Sequence, residues 1–298
     1  MIRSSLRWVL ILGCLVVLGP LALRLTGGLR DASGGPATTL LVNATPGPAV
    51  VAGAVALALA AGSGLLGGWA FSMGTGLACA GLVLAWARWG LGTLDSIVRR
   101  AGDGSDLTAL GVEGLAAGLL ALGVCTLVVG VSNRRQPDGG KGRGLLVLEA
   151  EAGSSGRNAT IAGVLAGAAA GALVIWLCAV TELRGQTLLA VVIGGIGAGA
   201  ASHLVGNSMR ATLSPVPAVA GLALVALASP LVAKGMHGDG VLAAVFGGKV
   251  LPLARPVSLD WAAGALLGVP VGMGWAGAVL DVRAAEETAE SQAEAAGL

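Results

Sequence analysis

The chain has 298 residues, 55% hydrophobic and only 11% charged, with a net charge of +2 and a mean hydropathy of +0.85. A soluble globular chain carries about 25% charged residues, so the polar material here is too scarce to clothe an exterior in water, and hydrocarbon is the solvent the composition demands. The net charge is too small to imply nucleic acid, so none is expected as a partner, and the lipid bilayer becomes the partner to expect.

The first apolar block, 8–25, follows Arg3 and Arg7 and is succeeded by Arg24 and Arg30 without a small-x-small cleavage signal, which reads as a retained helix. From 49 to 90 no charge intervenes before Arg88. One helix of that length would run roughly 63 Å at 1.5 Å per residue, about twice the hydrocarbon core. Two spans are therefore predicted, 49–67 and 70–90, with a tight turn at Gly67-Gly68-Trp69. A polar segment containing Asp95, Arg99 and Arg100 leads to a fourth span, 107–131, with Glu113 in its second turn. The longest loop, 132–158, is rich in glycine and charge but too short to bury a core.

The fifth and sixth spans are predicted at 159–180 and 187–205, joined by a turn holding Glu182 and Arg184. The seventh, 216–232, is interrupted by Pro230, and the eighth, 259–280, by Pro270. Between them Val241 to Leu253 is apolar but too short to cross, as an interfacial or re-entrant segment would be. The acidic tail, 281–298, reads as a solvated helical extension. The fold class is all-α, a polytopic bundle of about eight glycine-rich spans in one integral membrane domain.

Lipid offers little hydrophobic drive between helices, so close backbone approach has to supply the attraction. Among 51 glycines, two ladders of G-x-x-x-G-x-x-x-G stand out: Gly163, Gly167 and Gly171 in the fifth span, and Gly264, Gly268 and Gly272 in the eighth. Each lines one helix face for a tightly packed neighbour, in the same chain or, through self-association, in a second copy. Trp8, Trp69, Trp86, Trp89 and Trp261 fall near predicted span ends, where the membrane interface favours tryptophan. Trp176 and Trp275 fall deeper and are expected to face other helices.

Arginine dominates the positive charge, and with abundant Ala and Gly this points to a GC-rich bacterial genome and a bacterial inner membrane. With the N-terminus inside, nine of the 18 basic residues (Arg3, Arg7, Arg134, Arg135, Lys141, Arg143, Arg157, Arg210 and Arg283) fall inside and nine outside. Only the basic cluster of the 132–158 loop favours that orientation. Cys14, Cys79, Cys125 and Cys178 sit in separate blocks with no C-x-x-C spacing, as small buried apolar residues would. No metal site, phosphate loop or other cofactor motif is readable; Gly139-Gly140-Lys141-Gly142-Arg143 has no Ser or Thr after its lysine and reads as a basic loop touching headgroups.

Three constellations bear on chemistry. The stretch Gly235-Met236-His237-Gly238-Asp239-Gly240, with apolar residues after the acid, resembles the G-x-G-D motif of intramembrane aspartyl peptidases, the prepilin peptidases above all. That resemblance implies a second carboxylate two spans upstream, where Glu182 stands before Leu183 and Arg184. It departs from the family in having Glu as the first acid and Gly240 where a lysine is expected. Asp95 is a second candidate for the first acid. Ser63 in Ala61-Gly62-Ser63-Gly64 and His203 after Ser202 faintly resemble the rhomboid Ser–His pair, without the family's upstream His and Asn.

Ionisable residues and breaks within spans point instead to transport: Glu113, His203, Pro230 and Pro270, the prolines freeing backbone carbonyls. Mid-membrane polar groups are few, however, and no span has a polar face wide enough for a water path. The expectation is a non-enzymatic structural or accessory membrane protein, with a small-solute transporter as the alternative and an aspartyl peptidase using Glu182 and Asp239 third. Extraction of membranes with alkaline carbonate should leave the chain in the pellet; release into the supernatant would refute the bilayer as its solvent.

Overall fold

The computed structural model describes residues 2–30, 34–37, 39–40, 46–101, 105–134, 145–150 and 156–295. Most of the basic loop, 135–144 and 151–155, lies outside them. Eight helices are long and apolar enough to cross a membrane, and they form an all-α polytopic bundle. The first span joins α1 (Ile2–Gly13) to α2 (Gly19–Gly27) through a π-helical turn, Cys14–Leu18. The second is α3 (Pro46–Ala70), the third α4 (Met73–Trp89), and the fourth α6 (Ser105–Arg134), which follows the short α5 (Leu94–Ala101). Then come α7 (Gly156–Cys178), α8 (Arg184–Ser208), α9 (Val216–His237) and, after the short α10 (Val241–Phe246), α11 (Ser258–Ala295).

An even number of crossings puts both ends of the chain on one face. That face also carries a two-stranded antiparallel ribbon, β1 (Val147–Ala150) with β2 (Ala211–Leu213), registering Val147 with Leu213 and Ala150 with Ala211. The intervening α7 and α8 return the chain to the same side, as the pairing requires. On the opposite face, called here the α5 face, α5, α10 and the start of α6 close over a small apolar core containing Leu94, Val98, Leu107, Leu110, Val241 and Val245. The apolar segment after α9 therefore folds as part of a surface cap. A left-handed glycine, Gly238 (φ +50°), ends α9 and starts the turn into it.

The turn between α3 and α4 falls at Phe71-Ser72, three residues beyond Gly68. Helix α3 continues to Ala70, and Ser72 (φ −161°) caps α4, its Oγ accepting from Thr75 N at 3.2 Å. Gly67 is instead a contact residue: a Cβ there would stand 2.9 Å from Gly76 Cα on α4. What looked like a turn signal is a place where two backbones touch.

Helix α8 packs between α7 and α11. A Cβ on Gly264 would meet Val191 Cγ1 at 2.6 Å, one on Gly268 would meet Ile196 N at 2.8 Å, and one on Gly272 would meet Ala200 N at 2.9 Å. From the other side, a Cβ on Gly195 would stand 2.8 Å from Gly264 O. On α7 the corresponding contacts are Leu213 Cδ1 at 2.5 Å for Gly163, Ala218 Cα at 3.2 Å for Gly167 and Leu222 Cδ2 at 2.6 Å for Gly171. These six glycines thus turn toward α8, α9 and β2 of their own chain.

The expectation that Trp176 and Trp275 face other helices is corrected. Trp176 and Trp275 are 54% and 64% exposed, so they point outward from the bundle; the glycine faces of α7 and α11 occupy their inward sides. Trp261, the fourth residue of α11, lies near a span end as expected, where it is 2% exposed and donates its indole N–H to Pro256 O at 3.2 Å.

A Gly268→Val substitution forces a methyl group into the α8 backbone, where little can yield. It should destabilise the detergent-solubilised protein by on the order of 1–3 kcal/mol. Gly274→Val, on the same helix with nothing within 4 Å of its added carbon, should change stability by less than about 0.5 kcal/mol. Thermal unfolding of the two variants checks the contrast.

Candidate functional site

The bundle's buried charges collect at its α5 face. Arg88, one residue before the end of α4, and Asp260, two residues into α11, are both 0% exposed and form an ion pair, Nε to Oδ1 at 2.8 Å. Each charge has further partners. Arg88 Nη1 donates to Leu91 O (3.2 Å) and Gly92 O (2.9 Å), the carbonyls left open where α4 ends. Asp260 Oδ2 accepts from Val257 N (2.9 Å), closing the first turn of α11, and the Thr187 hydroxyl of α8 reaches the same carboxylate. Desolvating two ions costs several kcal/mol apiece, and only such full partnering offsets it. Arg88 Nη2 is the one corner with no partner among the described residues. The pair ties α4, α8 and α11 together.

Sequence reading noted Arg88 only as the first charge in the 49–90 run and did not single out Asp260. A signal was present: topology sends α4 out and α11 in through the same face, so opposite charges one turn inside those ends stand at the same depth.

Glu113 lies some 12 Å along α6 from Ser105 at 1.5 Å per residue and is only 4% exposed. Its Oε1 accepts from Leu40 N (3.0 Å) and from Ser258 Oγ (2.6 Å). Leu40 belongs to the connection before α3, and Ser258 is the first residue of α11. Although two turns inside its own helix, the carboxylate is therefore level with the ends of its neighbours. It does not extend outward to the headgroups as a snorkelling acid would.

Beside Glu113 is a cavity of about 330 Å³. Its walls are α3 (Val50, Ala54, Leu57) and α6 (Ala117, Leu120, Ala121), backed by Leu84 and Ala262, and its polar residues are Thr26, Glu113 and Ser258. Thr26 is already engaged, its hydroxyl donating to Ala87 O at 2.6 Å. Val50 and Leu120 are 55% and 50% exposed on the bundle's outer surface, so the cavity opens sideways between α3 and α6.

The other predicted residues are placed elsewhere. Glu182 lines an open cleft on the α5 face with Trp89, Thr93, Asp95 and Arg184. Arg184 donates there to Trp89 O at 3.1 Å. Asp239 stands on the exposed turn between α9 and α10 and does not line that cleft; the acid that shares it with Glu182 is Asp95. His203 faces α11, its Nε2 3.8 Å from a Cβ built on Gly277. Ser63 donates to Ala60 O on α3, apart from His203. Pro230 and Pro270 sit within uninterrupted helices. The carbonyl that Pro230 frees, Ala226 O, lies against Gly114 of α6, where a Cβ would come within 2.7 Å.

Cys14 and Cys79 do converge, buried and in side-chain hydrogen-bond contact between the first and third spans, both as free thiols. Among the described residues no group of three or more His, Cys, Asp or Glu side chains is placed to hold a metal ion.

No protein-family model, curated protein or solved structure matches the chain. The buried pair and the cavity rest on their own geometry.

Arg88→Met strands Asp260 as an unpaired buried charge and should destabilise the solubilised protein by about 3–5 kcal/mol. Adding Asp260→Asn, which keeps an oxygen for Val257 N, should recover most of that loss. A double variant no more stable than Arg88→Met would show that the ion pair is not what holds these helix ends.

Proposed function

We propose that the chain is a non-enzymatic membrane protein that holds one lipophilic guest in the Glu113 cavity. This keeps the accessory role expected of the sequence and adds a ligand site to it. The observation that carries the reading is the cavity itself: apolar on its long walls, polar at one end only, and opening sideways toward hydrocarbon. Its volume of about 330 Å³ is at the lower end of small-molecule sites, which run from about 300 to 1,000 Å³.

A hydrated ion or sugar has no partners along such walls. Transport of a small polar solute draws on the same cavity, but of Glu113, His203, Pro230 and Pro270 only Glu113 is among its lining residues. Peptidase chemistry asks Glu182 and Asp239 to share one water, and Asp239 is absent from the cleft that Glu182 lines.

Purified in mild detergent and analysed by native mass spectrometry, the wild-type protein should retain about one lipophilic molecule per chain. Ala117→Phe fills the cavity and should abolish retention. Ala54→Phe enters the same space from a lipid-exposed position, where misfolding is not a concern, and should reduce it at least severalfold. Wild-type protein that retains nothing, or an Ala54→Phe variant that retains as much as wild type, overturns the proposal.

A further inference from the structure

The first three spans bring sulfur together deep in the bundle, among residues that do not line the Glu113 cavity. Cys14 lies roughly 15 Å along the first span from Ser4 at 1.5 Å per residue, halfway through a hydrocarbon core about 30 Å thick. There it meets Cys79 of α4, and the Ser63 hydroxyl of α3 is also within hydrogen-bond reach of its sulfur. Both cysteines are buried and both are free thiols. We propose that the pair is a peroxide-reactive site: a small uncharged hydroperoxide oxidises Cys14 and Cys79 to a disulfide that fastens the first span to the third.

Most buried cysteines are inert and behave as small apolar residues. Three features set this pair apart. Two thiols from different spans are in contact, whereas Cys125, also fully buried, has no second thiol beside it. Cys14 opens the π-helical turn, a distortion frequent at functional sites. It is also only one side chain away from lipid. Leu12, Leu15, Val16 and Val17 around it are all exposed, and nothing stands within 4 Å of a Cβ built on Gly13. A small molecule dissolved among the acyl chains has its shortest approach to the sulfur past that glycine.

Hydrocarbon sets the class of oxidant. Ionic oxidants and water-soluble disulfides are held out, because a charge near the bilayer centre is costly. A hydroperoxide carries no charge, and hydrogen peroxide is little larger than water. The Cys14 sulfur attacks one peroxide oxygen and the O–O bond breaks. The leaving oxygen takes the Cys14 proton and departs as water, or as an alcohol from an organic hydroperoxide, and Cys14 becomes a sulfenic acid. The Ser63 hydroxyl and the Cys79 thiol face the sulfur as donors while negative charge develops on it. Cys79 then attacks that sulfur, the S–S bond forms, and the hydroxyl leaves with the Cys79 proton as a second water. Two thiols have lost two electrons to the peroxide, and no charge stays behind in the hydrocarbon.

The test treats wild-type protein in vesicles of saturated phosphatidylcholine with hydrogen peroxide. After quenching, the protein is unfolded, its remaining thiols are alkylated and it is digested without reductant. Mass spectrometry should find the Cys14 peptide joined to the Cys79 peptide, with loss of both alkylation sites together. Cys125 should be alkylated as in untreated protein, and Cys178 should be joined to neither. In Cys79→Ser the reaction should stop at the sulfenic acid of Cys14, which then takes a 1,3-diketone label.

Recovery of Cys14 and Cys79 as free thiols under conditions that oxidise Cys178 would overturn the proposal. So would their separate oxidation to sulfinic acids without a link, or a link that forms only once the protein is unfolded. The decisive reading is made on the wild-type chain, so it does not depend on how well a cysteine variant folds, and it leaves the cavity and its guest untouched.

Discussion

Hydrocarbon supplies no solvent to rescue a polar group that lacks a partner, and this constraint decides where the chain places its few charges. Arg88, Asp260 and Glu113 are all buried, and all three lie near helix ends on the same face. There the backbone has open amides and carbonyls to offer: Leu91 O and Gly92 O to the arginine, Val257 N to the aspartate, Leu40 N to the glutamate. Side-chain charge and helix terminus satisfy each other, so the middle of the bundle stays apolar. The start of α11 is the hub, since Ser258 and Asp260 hold α6 and α4 within a single turn.

Away from that face, attraction between helices depends on distance rather than on polarity. Where a Cβ would penetrate the neighbouring backbone, as at Gly195 and Gly268 on the α8–α11 seam, its absence is what lets the helices touch. Between α3 and α6 the helices close at Gly68 and Val128 but not at the α5-face end. Small residues on both walls, Ala54 and Ala117 among them, leave space that nothing among the described residues fills. The same economy of side-chain volume thus produces a tight joint in one place and a cavity in another.

The number of spans was legible because six are separate apolar blocks with polar residues at their ends, and the one longer run, 49–90, is too long for a single crossing. Glu113 was legible as a lone acid inside an apolar run. Its partners were not, because Leu40 and Ser258 lie 73 and 145 residues away and neither carries a pattern. Arg88 and Asp260 are 172 residues apart, and no pattern in the sequence links them. Gly67 and Gly68 misled because a glycine that allows a turn and a glycine that allows contact are spelled the same way. Trp176 and Trp275 misled through depth alone: position along a span does not determine which side of the helix faces lipid.

The π-helical turn at Cys14–Leu18 governs how the first span meets the third. Such a turn accommodates one residue more than an α-helical ladder, and one residue corresponds to about 100° of rotation. Beyond it, Gly19 meets the ring of Trp86 and Thr26 reaches Ala87 O; at its start, Cys14 meets Cys79. Deleting a single residue from the turn would bring the two halves of the span back into phase and swing one of these contacts off α4. The first span is keyed to its neighbour at two depths by an irregularity rather than by a continuous face, and a straight helix of the same composition would engage at only one.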